Sequence, residues 1–111
     1  MEDFIAYLTQ QLEAGKSDIA RLEADGRQDD ADFAKVRTNI YEIARTVTMA
    51  LRNRPGAGTE AVEAQFARFR AGWQTTLDKA REHGDTRNIV VEETKLSALE
   101  DIIAHFREVE K

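Results

Sequence analysis

The chain predicts an all-α fold, an antiparallel up-down-up-down four-helix bundle. Three observations carry that prediction. Apolar residues recur at alternating steps of three and four along four separate stretches, which keeps each set on one side of an α-helix. Short turn signals divide the stretches, at Asp25-Gly26, at Pro55-Gly56-Ala57-Gly58 and at His83-Gly84. Charged residues make up 33% of the chain, more than in an average globular protein, which suits long helices with one wet face. Connections this short force sequential helices to run antiparallel. At 111 residues the whole chain, 1–111, is expected to be one helical-bundle domain, large enough for a single core without metal or disulfide.

The first helix is expected over about residues 2–24. Ile5, Leu8, Leu12, Gly15, Ile19 and Leu22 form its stripe, with Phe4 beside it. Gly26 ends it, since glycine takes the left-handed conformation without steric cost. The second helix, about 30–52, is the element the others cover. Phe33, Val36, Ile40, Ile43, Val47 and Ala50 fall on one face, with no proline or glycine among them. Asp29, Asp30 and Asp32 offer an N-cap and place negative charge where the helix dipole is positive, and Arg45, Arg52 and Arg54 match its other end.

The third helix, about 59–83, opens at Thr59 as N-cap, with Glu60 and Glu63 in its first turn. Val62, Phe66, Phe69, Trp73, Thr76, Leu77 and Ala80 form its stripe. The fourth helix, about 86–109, is capped by Asp85 or Thr86 and turns Ile89, Leu96, Leu99, Ile103 and Phe106 inward. Glu92 falls on an inner position, and Ser97 to Glu100 has the spacing of a capping box, so a start near Ser97 competes with a continuous helix. The continuous helix is expected, because an irregular segment over 87–95 would leave the third helix uncovered at that end.

One packing expectation follows from the topology. Gly15 and Trp73 sit near the middles of the first and third helices, which lie diagonally opposed. A missing side chain opposite the largest one keeps core density even, so Gly15 is expected to make room for Trp73. Net charge is −5, divided as −4 over residues 1–26, +2 over 27–56, zero over 57–84 and −3 over 85–111. A basic second helix between acidic neighbours reads as complementarity within the molecule.

Several chemistries are excluded or unsupported by residue type. There are no cysteines, which removes disulfides, thiolate metal sites and thiol nucleophiles. The two histidines, His83 and His105, follow Ala80 and Ile102 at the third position before them, so the Glu-x-x-His pairs of di-iron bundles are absent. His105, one turn after Asp101, reads as a surface histidine with a carboxylate neighbour. No Gly-x-Ser-x-Gly and no phosphate-binding loop occurs, and Pro55-Gly56-Ala57-Gly58 lacks the Gly-Lys-Ser/Thr of one. Glu92, if inward, is a lone carboxyl without a catalytic companion, with Lys79 at the level to pair with it. No enzyme, cofactor or metal centre is therefore expected. Nucleic acid would need a dense basic face, and this chain is acidic. The opening MEDFIAYL is acidic where a signal peptide would be basic, and no apolar run approaches a membrane span, so a cytoplasmic protein with no membrane contact is expected.

Interaction with protein remains. Tyr7, Tyr41 and Met49 fall outside the inner stripes, and aromatic and methionine side chains left on a surface are enriched at interfaces. The expected function is a small interaction module, an adaptor, chaperone-like or regulatory bundle. It would act by burying an apolar helix face in a homodimer or against another helical protein. The alternative is a ligand- or divalent-cation-binding bundle that uses the acidic end around Asp25, Asp29, Asp30, Asp32, Asp85 and His83. In that case Asp29, Asp30, Asp32 and His83 would be the metal ligands.

Overall fold

The structure is a computed structural model that describes residues 1–110. Four helices follow in order: α1 (Glu2–Ala24), α2 (Gln28–Arg52), α3 (Thr59–Glu82) and α4 (Thr86–Val109). They form a four-helix bundle. The turns that join them use glycine where the backbone enters the left-handed region, at Gly26 (φ 73°), Gly56 (φ 80°) and Gly84 (φ 64°).

The helix ends differ from expectation in detail. α2 begins at Gln28, with Arg27 as N-cap, and none of the three aspartates caps it through its side chain. They instead make local contacts: Asp30 pairs with Arg27 at 2.7 Å, and Asp32 accepts from Gln28 at 2.8 Å. Gly58 is the N-cap of α3, and Thr59 is its first helical residue. Asp85 caps α4 as expected, accepting from the Asn88 backbone N–H at 3.3 Å. That helix is continuous through 87–95.

The cross-section is not a square. α2 packs more closely on α4, its diagonal partner, than on α3, and no Cα of α1 comes within 8 Å of one in α3. Ala44 of α2 and Ala98 of α4 are both fully enclosed in the core, and side chains that short let two backbones approach. This flattening rotates the buried face of α2. Ile40, Tyr41, Ala44 and Thr48 are buried, whereas Phe33, Val36, Ile43 and Val47 are half-buried and Ala50 is exposed. Thr48 tolerates burial because its hydroxyl donates to the Ala44 carbonyl at 2.7 Å.

The core is concentrated at the end where α1 begins and α4 finishes. Phe4, Phe66 and Phe106 meet edge-on there, with ring centroids 4.8 Å (Phe4–Phe106), 6.0 Å (Phe66–Phe106) and 6.3 Å (Phe4–Phe66) apart. The opposite end holds smaller or isolated buried side chains, Leu22, Ala31, Leu77 and Ala80, outside that cluster.

The Gly15–Trp73 expectation is overturned. The atoms nearest a β-carbon at Gly15 all belong to Thr38 of α2. Gly15 therefore accommodates the neighbouring helix, not the diagonal one. Trp73 stacks on Phe69 of its own helix, centroids 5.3 Å apart and planes 7° from parallel.

Charge is arranged as the segment totals imply. From the basic α2, Arg52 and Lys35 pair with Glu2 and Glu23 of α1 at 2.7 and 3.2 Å. Arg37 pairs with Asp101 of α4 at 2.8 Å. Such exposed pairs add little energy each but favour this arrangement of helices over others.

Candidate functional site

The three residues expected at a partner surface do not form one patch. Tyr41 is only 3% exposed, so its place outside the inner stripe is corrected. It became a core residue because α2 turns toward α4. The Arg37 guanidinium lies 5.4 Å from its ring centroid and donates to its hydroxyl at 3.1 Å, while also holding Asp101. Tyr7 is half-buried, with its ring edge-on to Phe4 and 6.2 Å from Tyr41. Met49 is the member left outside, 38% exposed on α2.

His105 also departs from the expected surface position. It is half-buried, and its ring lies edge-on to Tyr7 with centroids 3.6 Å apart, while Asp101 is engaged by Arg37 instead. The tyrosine pair sits between two shallow clefts, one lined by Gly15, Arg37 and Thr38, the other by Asp3, His105 and Val109.

The setting of Tyr41 has a consequence for pH. Burial pushes its phenol well above the ordinary range, with Tyr7 adding to the shift and Arg37 opposing it. The folded state thus holds this proton more tightly than the unfolded state does. The stability linked to it is complete below the unfolded value of about 10 and is lost as pH rises toward the folded value. Urea midpoints should hold steady to about pH 9 and fall above about pH 10. Tyr41→Phe should flatten that fall. An unchanged slope in the variant would remove Tyr41 as its cause.

At the acidic end, the carboxylates do not converge. Asp32 faces Arg87 at 3.7 Å as well as Gln28, Asp30 faces Arg27, and Asp85 is occupied with Asn88. His83 is exposed at the C-terminus of α3. Among the described residues no group of three or more carboxylates or histidines is placed to hold a metal ion.

What spacing alone missed is a surface made by the expected stripe itself. Thr38 and Arg45 face α1, through Gly15 and through Thr9 at 3.4 Å. Val36, Ile43 and Val47 each stand two positions from one of them, about 200° around the helix, and so on the flank away from α1. α3 lies on that side but makes only limited contact with α2. Ile43 and Phe69 are equally far in sequence from Gly56, so they lie at one level of the antiparallel α2–α3 pair. This arrangement sets half-buried Val36, Ile43 and Val47 on one side of an α2–α3 seam and the stacked Phe69 and Trp73 on the other, with Ile43, Phe69 and Trp73 also packing against the core.

Beside Trp73 lies an ion pair from α4. Glu92 does face inward, but it pairs with Lys95 of its own helix at 3.1 Å, and not with Lys79. Comparison with protein-family models, curated proteins and solved structures gives no match. Among the described residues no helix is long and apolar enough to cross a membrane.

Proposed function

We propose that this chain is a protein-interaction module, adaptor-like or regulatory, that docks a helix of a partner or of a second copy along the α2–α3 seam. The observation that carries the reading is the incomplete burial of Val36, Ile43 and Val47, at about the level of Phe69 and Trp73, which are likewise only partly buried. A long helix with an apolar face that its own bundle leaves partly uncovered gains free energy when another apolar face removes it from water. The mechanism is burial alone, with no bond made or broken. Met49 belongs to the same helix but to a different flank, and serves at most as an edge contact. A cytoplasmic setting fits the reading, since a chain without cysteine needs no oxidising compartment to reach this fold.

The test is size exclusion with light scattering, together with capture of partners from cytosol, for wild type and Val47→Glu. Val47 lies outside the fully buried core, so the substitution should leave the helical circular dichroism intact. It should weaken a stoichiometric complex, self or foreign, by about tenfold or more, because a carboxylate would be buried without a partner. A complex that survives unchanged, or a wild type that stays alone under every condition, overturns the seam as the docking surface.

A further inference from the structure

We propose that Glu92 and the Trp73 ring form a recognition site for a lysine side chain carried by the docked helix. In the free protein the chain's own Lys95 occupies that site. The inference deepens the docking reading and rests on it.

Glu92 is the one charged side chain that is buried among the described residues, 6% exposed. A carboxylate out of water needs hydrogen bonds to both oxygens. Here Oε1 accepts from Lys95 Nζ at 3.1 Å, and Oε2 has no hydrogen-bond partner among the described residues. Half of this carboxylate's bonding capacity is unused, at a position where a leucine would complete the core at lower cost.

The site already binds an ammonium. Lys95 Nζ stands 5.8 Å from the Trp73 ring centroid, within range of the attraction between an ammonium and an indole face. The Lys95 side chain is 28% exposed, so its charged head lies at the border between core and water. Its hold on Glu92 is a contact between positions three apart in one helix, a pairing of modest strength. A second ammonium reaching the carboxylate displaces Lys95 to solvent, because Oε2 is itself buried. The aliphatic stem behind it would lie along Phe69 and Trp73, as lysine stems do on apolar surfaces.

A lysine ammonium suits this geometry: it is a compact point charge like the Lys95 head, which already sits beside the ring face at the border between core and water. The net charge of −5 draws a basic partner toward the chain and repels a second copy, so the lysine belongs to the helix of a basic partner protein.

Trp73 is the only tryptophan, so its emission reports on this site. The probe is n-butylammonium chloride, the lysine side chain without its backbone, titrated into the full chain at constant ionic strength. The uncharged control is n-butanol. Butylammonium should change Trp73 emission saturably, and butanol should not. Glu92→Gln should weaken the response about tenfold or more. Lys95→Met, which removes the internal ammonium and keeps its stem, should tighten it about tenfold, with circular dichroism showing that both variants remain helical. If Glu92→Gln fails to fold, Lys95→Met decides: tighter binding supports the site, and unchanged or weaker binding overturns it. Equal responses from wild type and Glu92→Gln, or a response matched by butanol, also overturn it. An intact, Glu92-dependent amine response with no complex lost in Val47→Glu rejects the docking seam and not the ammonium site. The reverse pattern rejects the ammonium site alone.

Discussion

Phe106→Ala is expected to destabilise the fold by about 3–5 kcal/mol, the range for removing a large side chain from a tightly packed interior. Phe106 has almost no exposed surface and touches the rings of both Phe4 and Phe66. Through it α1, α3 and α4 share one contact, so its loss leaves a cavity that no single helix shift can fill. Since a domain of this size holds only about 5–15 kcal/mol in total, the variant should lie near the edge of folding. Urea denaturation checks the size, and a loss below about 1 kcal/mol would mean the aromatic cluster is not where the stability lies. The same packing predicts uneven amide exchange. Amides around residues 4–12 and 98–106, next to the aromatic cluster, should exchange more slowly than those near Leu22 and Leu77.

Gly15→Ala is expected to destabilise as well, by about 1–3 kcal/mol, although alanine is the better helix former by about 1 kcal/mol. The reason is local. An added β-carbon would overlap the Thr38 hydroxyl oxygen and crowd Cγ2 at 3.0 Å. Threonine is stiff about its first side-chain torsion, so α1 and α2 must separate or Thr38 must leave its preferred rotamer. The double variant Gly15→Ala, Thr38→Ala removes the overlapping atoms. It should recover most of the loss, and the propensity gain should then show. Denaturation of the four members of this cycle gives the coupling directly. A neutral or stabilising Gly15→Ala would mean that the two helices adjust freely at this crossing. No coupling to Trp73 is expected, because α1 and α3 do not approach one another there.

Legibility of the candidate site differs residue by residue. Glu92 was recognisable as an inward carboxyl from its place in the apolar period of α4, yet its partner was not. Lys79 lies on another helix, whereas Lys95, three positions after Glu92, is its neighbour on the surface of α4 itself. The tyrosines show the converse. Tyr41 and Tyr7 carry no signal in their spacing that separates a core edge from a surface, and the burial of Tyr41 follows from the position of α4. His105 found Tyr7 instead of Asp101 because Arg37, from another helix, took the carboxylate.

The sequence by itself determined the number of helices, most of their ends and the class of fold. Those properties are local: a 3-4 period, a glycine that admits the left-handed conformation, a proline after a basic last turn. Which arc of each helix is buried was decided only by tertiary structure. An apolar period marks a stripe about a third of the circumference wide, whereas α2 is covered by three neighbours, and the directions of α1 and α4, which pack on it most extensively, set the centre of its buried face between them. Buried alanines at 44 and 98 leave room for α4 to come close as well as α1. The approach of α4 buried Tyr41, that of α1 set Gly15 against Thr38, and the two together left Val36, Ile43 and Val47 at the seam.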